Sequence, residues 1–569
     1  MLYIYFFHGY SIYLAKVNNS HSSIIGTPVL NRGNYKEKHT AGMFISTVPF
    51  KIDANPDVPF TSFLKDVAST QLGIFRHQKY PYDKLLKQIK KEYNISDNLY
   101  DFVLSYQNAK DDKNSCDVNY ISNWLFNGHS LDTLQVHFYD MDDNGTPKLY
   151  YDYQIDKLNE TEIISINNRI MNMAKNILET PDILLKNISI VTNEESMKLL
   201  HNFNSTPYEF DTTKSLVKIF EEQVDINPDK TAIIFEDKTL SYSELNKKIN
   251  ALSNILIENN VGKNNVIGIM LPRSFETIIS MWAVLKSGNA YMLIDPSLPK
   301  DRIEYMLENA NSNLLITNST FDINCTNKLL LDLSIFLHGT VKENISPSNA
   351  NINNPEIYND NNDPFCVIYT SGSTGTPKGV ELKRVGIINM LYSYKQFLYT
   401  DTCDVFLSTS TVAFDMFIVE NYVSLLSGKT VLLANEDQQK VPVFMSKLIS
   451  KYKSDFILST PSKISLLLLN ESTKSCLKDV KIIQLGGEVF KENLYNELHS
   501  SSNAKIFNGY GPSECTACCS NKEISLGNQI SIGKPFLNTN IYILNSDLNL
   551  MPIGYSGEIC VAGLGVGNG

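Results

Sequence analysis

The chain has 569 residues, enough for three or four structural units at roughly 150 residues each. Hydrophobic residues make up 43% and charged residues 20%, the balance of a folded globular protein rather than a disordered one. The net charge of −11 argues against a general nucleic-acid binder, and no run of about 18 uncharged apolar residues offers a membrane span, so neither nucleic acid nor membrane is expected as a partner.

The apolar opening from Met1 to Lys16 lacks a basic residue ahead of its hydrophobic stretch, which counts against an export signal. The nine cysteines are odd in number and thinly spread, which suits a reducing compartment, and a cytoplasmic location is expected. In chain order, Leu149–Ile155 reads as a strand and Ile163–Leu178 as an amphipathic helix. Turn formers collect between His201 and Asp211, where a domain seam is placed. Ser241-Tyr-Ser-Glu244 has the spacing of a capping box, opening a helix with Leu245, Ile249, Leu252 and Leu256 on one face. A second helix carries Phe275, Ile278, Ile279, Trp282 and Leu285 and stops at Gly288. Strands are then expected at Ala290–Ile294, Phe365–Tyr369, Thr430–Ala434, Val480–Leu485 and Ala504–Phe507, alternating with helices as in a parallel α/β sheet. The Asn/Asp/Pro/Ser-rich stretch 344–364 reads as a loop.

The strongest chemical signal is Ile368-Tyr-Thr-Ser-Gly-Ser-Thr-Gly-Thr-Pro-Lys-Gly379. Glycines let a backbone approach an anion closely, N–H and hydroxyl groups can surround phosphate oxygens, and Lys378 adds positive charge. Pro377 before the lysine departs from a Walker loop. This string closely resembles the phosphate loop of the adenylate-forming superfamily, which includes acyl-CoA synthetases, luciferases and the adenylation domains of nonribosomal peptide synthetases. Further strings follow in that family's order: Leu240-Ser-Tyr-Ser-Glu-Leu245, Leu285-Lys-Ser-Gly-Asn-Ala-Tyr-Met-Leu-Ile-Asp295, Phe414-Asp415, Gly486-Gly-Glu488, Asn508-Gly-Tyr-Gly-Pro-Ser-Glu514 and Gly557-Glu-Ile-Cys-Val-Ala-Gly563. They resemble the peptide-synthetase members in particular. One departure is Arg384-Val-Gly386, where those members read His-Arg-Gly.

The resemblance implies a site. Thr370, Ser371, Gly372, Ser373, Thr374, Gly375 and Lys378 would close over the β- and γ-phosphates of ATP. Tyr510 would stack on adenine, Asn508 and Gly509 would read its edge, and Ser513 would touch the α-phosphate. Glu514 would hold Mg²⁺, a hard cation that prefers oxygen. Thr370, Lys378 and Glu514 are the implied catalytic residues. Asp415 would pair with the α-ammonium of an amino-acid substrate, a helix cap being the alternative; a fatty-acyl ligase has no ammonium to pair. Met416, Val419, Leu458, Ile483, Leu485, Gly509, Ala517 and Cys518 would line the rest of the substrate pocket, whose uncharged, mostly apolar walls would reject charged side chains. Cys515, Cys518 and Cys519 lack a second ligand pair at zinc spacing and read as pocket-wall cysteines.

Upstream, Ile25-Gly-Thr-Pro-Val-Leu-Asn-Arg32 with Gly42–Pro49, Phe75–Tyr82, and Tyr93–Leu99 leading into Phe102–Gln107 resemble late motifs of condensation domains. The His-His-x-x-x-Asp-Gly of that family is missing, and His77 is expected to pack or hydrogen-bond rather than catalyse. The implied architecture is an α/β multidomain chain. A partial chloramphenicol-acetyltransferase-like condensation lobe would occupy 1–195, a linker 196–213, and the large N-terminal subdomain of an adenylate-forming enzyme 214–569, with parallel α/β sheets plus a small β-barrel. The implied activity is ATP-dependent amino-acid adenylation, for loading onto a phosphopantetheine arm of a peptidyl carrier domain and peptide-bond formation. The alternatives are an acyl-CoA-synthetase-like acid–thiol ligase, or a non-catalytic ATP-binding remnant, since the condensation histidines and the family's C-terminal lid with its lysine are not in the chain.

Overall fold

The computed structural model describes residues 2–95, 97–107, 128, 130–139, 147–204, 206–211, 213–259, 261–318, 329–332, 351–357, 360–371 and 377–569. Two compact units emerge: Met1–Asn202 with Tyr542–Cys560, and Phe203–Ile541 with Val561–Gly569.

The first unit is built on a five-stranded mixed sheet, ordered Ser46–Asp53, Ser22–Val29, Phe102–Gln107, Leu134–Tyr139, Lys148–Tyr153. The apolar opening is its core helix, Leu2–Val17, with Tyr10, Ile12, Tyr13 and Ala15 buried. The amphipathic segment forms the helix Glu160–Glu179, started by a capping box between Asn159 and Glu162 and burying Ile163, Ile166, Ile170, Met173 and Ile177. The segment 542–560 joins this core through Met551. Arg169 and Glu195 form a two-pronged ion pair at 2.9 and 2.6 Å, and Glu195 also accepts from the Ile553 N–H at 2.9 Å. Of the packing or hydrogen bonding expected of His77, the structure shows an exposed imidazole at the end of the helix Phe60–Arg76 and a backbone N–H that closes the last turn on Ile74 O at 2.9 Å.

The second unit holds two sheets. One has six strands, Leu329–Asp332, Leu314–Thr317, Val266–Ile269, Ala290–Leu293, Pro364–Ser371 and Pro377–Lys383, parallel except for the last. The other has nine: Lys534–Pro535, Ser520–Ile524, Lys505–Tyr510, Ile482–Leu485, Phe456–Ser459, Val405–Ser408, Thr430–Leu433, Thr231–Phe235 and Lys238–Ser241. Its six inner strands from Lys505–Tyr510 to Thr231–Phe235 are parallel. The four central ones, Ile482–Leu485, Phe456–Ser459, Val405–Ser408 and Thr430–Leu433, are short and almost wholly buried, as strands covered on both faces must be. Thr539–Leu544 and Glu558–Gly563 make a two-stranded sheet, and no closed barrel forms among the described residues.

The capping box at Ser241 is present, the serine hydroxyl accepting from Glu244 N–H at 3.2 Å and the glutamate from Ser241 N–H at 2.8 Å. It starts the helix Tyr242–Glu258, which packs on Phe275–Lys286. Trp282 of the latter is fully buried, stacked on Phe220 at a centroid distance of 4.3 Å and tilted against Tyr422 at 4.7 Å. Arg384, standing where the resembled family has histidine, is also fully buried. Its guanidinium donates to the carbonyls of Pro364 at 3.2 Å and Asn289 at 3.1 Å, tying two strands of the six-stranded sheet together. Trp282→Ala should cost about 3–5 kcal/mol. A urea titration of the second unit's unfolding should show a clearly lowered midpoint; a shift of under about 1 kcal/mol would contradict this packing.

Candidate active site

Parallel α/β sheets place sites beyond the carboxyl ends of their strands. Here the strands Phe456–Ser459, Ile482–Leu485 and Lys505–Tyr510 end around a cavity of about 220 Å³. The helix Asp415–Leu426 points its N-terminus at it. Asp415 is the first residue of that helix, 6% exposed, with Phe414 at the cap position. Ser513 donates its hydroxyl to Asp415 Oδ2 at 2.6 Å. Burial pushes the Asp415 carboxyl above the usual carboxylate range; the Ser513 hydrogen bond and backbone N–H groups at Asp415 and Met416 oppose this, and Glu514 adds to the rise. Both readings of Asp415 therefore hold at once, a helix-start residue and a buried carboxylate in a cavity wall.

The helix is fixed from behind by a buried polar network. Glu420, fully buried one turn further on, accepts from Ser408 Oγ at 2.9 Å, Ser410 N at 3.1 Å and Ser410 Oγ at 2.6 Å. Arg273 donates to the carbonyls of Ala434 at 2.7 Å, Ser408 at 2.6 Å and Ser410, with its guanidinium over Phe417. Lys463 donates to Thr409 O at 2.6 Å, and burial lowers its pKa to about 8.

Of the expected pocket residues, Asp415, Met416, Val419, Leu458, Gly509, Ala517 and Cys518 line this cavity together with Ser513. Ile483 and Leu485 do not. Side chains alternate along a strand, and these two point into the apolar cluster on the far face of the sheet, with Ile457 and Ile506. The residue between them, Gln484, faces the cavity. The motif spacing points to the residue on each side, whereas a strict two-residue alternation from Leu458 and Gly509 through the paired register identifies Gln484. Tyr394, Phe414, Gly486, Gly487, Gly511 and Pro512 complete the lining. Tyr394 had no sequence signal, since it lies on the long buried helix Arg384–Leu398.

Gly511 sits where a Cβ would lie 2.6 Å from Cys518 Cα and 2.7 Å from Ala517 O. Thr516 and Ala517 follow with φ of 57° and 66°, a left-handed pair without glycine. Thr516 is held by its hydroxyl's 2.6 Å bond to Gly565 O. This turn brings Ala517 and Cys518 to the cavity; Cys515 and Cys519 are buried beside it.

Thr370 and Lys378 face each other across the hairpin of Pro364–Ser371 and Pro377–Lys383, Thr370 Oγ1 lying 3.5 Å from Lys378 O. Lys378 is exposed. Tyr369 anchors the outgoing strand to Asn309 Oδ1 at 2.6 Å. Gly372, Ser373, Thr374 and Gly375 lie outside the described residues, as does the side chain of Ser371. Asn508, Gly509 and Tyr510 end their strand in sequence; Asn508 is buried and donates to Ser531 O at 2.9 Å, while Tyr510 is half-buried. Glu514 is partly exposed, its backbone carbonyl accepting from Gly567 N–H at 2.8 Å. A carboxylate such as that of Glu514 is an oxygen donor of the kind Mg²⁺ takes.

Residues 220–569 match the family model for AMP-binding enzyme, and residues 2–200 match that for the condensation domain. Over its whole length the chain is 30% identical to gramicidin S synthase 2 of Brevibacillus brevis. Over 98% of its length it is 28% identical to surfactin synthase subunit 1 of Bacillus subtilis (strain 168). It spans 13% and 16% of those proteins. Among solved structures it superposes on the nonribosomal peptide synthetase FmoA3 with a TM-score of 0.86 at 18% identity, covering 99% of this chain and 60% of that one. On a four-domain nonribosomal peptide synthetase bound to AMP and glycine the TM-score is 0.79 at 19% identity, covering 100% and 43%.

Gly511→Ala should cost about 1–3 kcal/mol by forcing the left-handed turn away from its strand. Gly73→Ala, in the helix Phe60–Arg76 with open space around the added carbon, should be neutral or stabilising. Thermal unfolding of the two variants checks this, and equal midpoints would contradict the close approach at Gly511.

Proposed function

Since the chain belongs to the AMP-binding enzyme family and carries a condensation-domain match ahead of it, as nonribosomal peptide synthetases do, we propose that it activates an amino acid with ATP. The observation that carries this is Asp415, a buried carboxylate at a helix N-terminus in the wall of a small cavity. A buried carboxylate is stabilised by a cation that arrives with its own charge, and an α-ammonium is such a cation. Among the described residues no basic side chain forms an ion pair with Asp415.

In the proposed reaction a carboxylate oxygen of the amino acid attacks the α-phosphorus of ATP. A new P–O bond forms, the bond to the β-phosphate oxygen breaks, and pyrophosphate leaves. Asp415 holds the ammonium, so that the substrate carboxylate faces Ser513, the proposed contact of the α-phosphate. Tyr510 stacks on adenine, with Asn508 and Gly509 at its edge. Thr370 and Lys378, with the intervening loop from Ser371 through Gly375, hold the outer phosphates. Glu514 is the proposed Mg²⁺ ligand, and the ion would neutralise phosphate charge. Positioning and charge neutralisation are what such a phosphorus transfer asks of a protein. The activated acyl group then passes to a phosphopantetheine arm on a peptidyl carrier domain. Residues 1–195 are the proposed C-terminal part of a condensation domain, 196–213 a linker and 214–569 the adenylation region. Among the described residues no helix is long and apolar enough to cross a membrane.

Amino-acid-dependent exchange of pyrophosphate into ATP tests this reading; exchange that responds only to fatty or aryl acids would overturn it. Asp415→Ala should lower amino-acid-dependent exchange at least about 100-fold, the size of losing one partner of a buried charge pair, and leave AMP binding in place.

The pH dependence follows from the raised Asp415 pKa. Ionised Asp415 is the form that pairs with an ammonium, and it is lost as pH falls through a pKa above the ordinary value of about 3.9. Affinity for the amino acid should therefore fall on acidification sooner than an exposed aspartate would allow. The same protonation relieves the burial penalty, so this group's contribution to stability moves the opposite way. Calorimetric titration of the amino acid as the pH is lowered from 7 toward the ordinary aspartate pKa checks the sign; affinity lost no sooner than at that ordinary pKa, or equally early in Asp415→Asn, would contradict it.

A further inference from the structure

Two groups proposed for the outer phosphates and their metal stand on different elements. Lys378 lies at the start of the edge strand Pro377–Lys383 of the six-stranded sheet, and Glu514 lies on the turn Ser513–Cys515. One short segment, Gly565-Val-Gly-Asn568, holds both elements. Toward the turn, the Thr516 hydroxyl donates to Gly565 O at 2.6 Å and the Gly567 N–H donates to Glu514 O at 2.8 Å. Toward the strand, the Asn568 N–H donates to Glu381 O at 2.8 Å and Asn568 Nδ2 donates to Glu381 Oε1 at 2.7 Å. Successive amides thus serve the two elements, one each, and cover part of the strand's outer edge. The approach is close: a Cβ on Gly567 would lie 2.5 Å from Glu381 O. Gly567 has no left-handed φ, so this closeness, not the backbone conformation, requires the glycine. The same turn sits tightly on the helix that follows the strand, where a Cβ on Gly386 would lie 2.6 Å from Thr516 Oγ1.

We propose that Gly567 and Asn568 are positioning residues, which set the Glu514 turn against the Lys378 strand so that a metal-bound triphosphate meets both. The inference rests on reading Glu514 as the Mg²⁺ ligand and Lys378 as a contact of the outer phosphates. In this role neither residue touches the nucleotide; each acts through the element it holds. Misplacing such a contact by about 1 Å costs on the order of 100-fold. A Cβ on Gly567 must push the strand or the turn away by about that much to reach ordinary van der Waals contact. AMP is the discriminating ligand. It lacks the β- and γ-phosphates, and its proposed α-phosphate contact, Ser513, has an anchor of its own in Asp415. A segment that only stabilised the fold would affect AMP and ATP alike. One that sets the metal ligand against the phosphate strand affects the Mg²⁺-dependent part of ATP binding alone.

The test uses this chain and calorimetry, with AMP and with a non-hydrolysable β,γ-imido analogue of ATP in the presence and absence of Mg²⁺. In the wild type Mg²⁺ should tighten the analogue at least about fivefold. Gly567→Ala should cut that gain below about twofold and leave the affinity for AMP within about twofold of the wild type. Asn568→Asp sets a second carboxylate against Glu381 and should do likewise. Adding Glu381→Gln to it should restore the gain, since donor and acceptor are then exchanged at unchanged net charge. A full Mg²⁺ gain in Gly567→Ala overturns the inference, as does an Asn568→Asp variant that weakens AMP as much as the analogue, or a double variant no better than Asn568→Asp alone. Should Gly567→Ala fail to bind AMP, Asn568→Asp and its double variant decide by the same ratio. A wild type that binds AMP but shows no Mg²⁺ gain overturns the reading of Glu514 itself, and the inference with it.

Discussion

A carboxylate held out of water is the constraint on which the candidate site is arranged. Asp415 opens a helix whose unpaired N–H groups favour negative charge, and Ser513 donates its hydroxyl to it. Burial still wins over these contacts, since the carboxyl remains harder to ionise than an exposed one. The site thus holds an incompletely compensated anion, and a substrate cation is the compensation proposed here. Ser513 has a second proposed partner, the α-phosphate, so one hydroxyl would link the carboxylate that holds the ammonium to the phosphate that the substrate attacks.

Keeping that anion in place requires the helix behind it to be rigid. Glu420, Arg273 and Lys463 are costly to bury singly, and here they share the Ser408–Ser410 segment, binding the strand end and the helix to one another. The energetic return of such a network is geometric definition more than net stability. It sets where Asp415 stands relative to the strand ends that carry Leu458, Gln484 and Gly509.

Much of the fold was legible because it follows local rules. The capping box at Ser241 and the short apolar strands needed only spacing and alternation. The opening helix was harder: the sequence argued only against an export signal, and its place in the core depends on neighbours far along the chain. The capture of 542–560 by the first unit depends on Arg169, Glu195 and Ile553, which are far apart in the chain and belong to no motif. In the site, Asp415 and the Cys518 turn were found by motif, whereas Gln484 and Tyr394 were not. A motif match fixes a position along a strand, but which face that position presents is set by pairing with the neighbouring strands. The buried network was invisible for a similar reason, since Arg273, Glu420 and Lys463 look like surface charges until the sheet brings them together.

The central claim is that Asp415 receives the α-ammonium of an amino acid. The most direct measurement is a crystal structure of the chain with a bound aminoacyl-adenylate analogue. The account predicts the ammonium nitrogen within hydrogen-bond distance of Asp415, about 3 Å, with the side chain in the cavity bounded by Met416, Leu458 and Gln484. An analogue whose ammonium lies away from Asp415, with the Ser513–Asp415 hydrogen bond unchanged and the cavity empty, would contradict it.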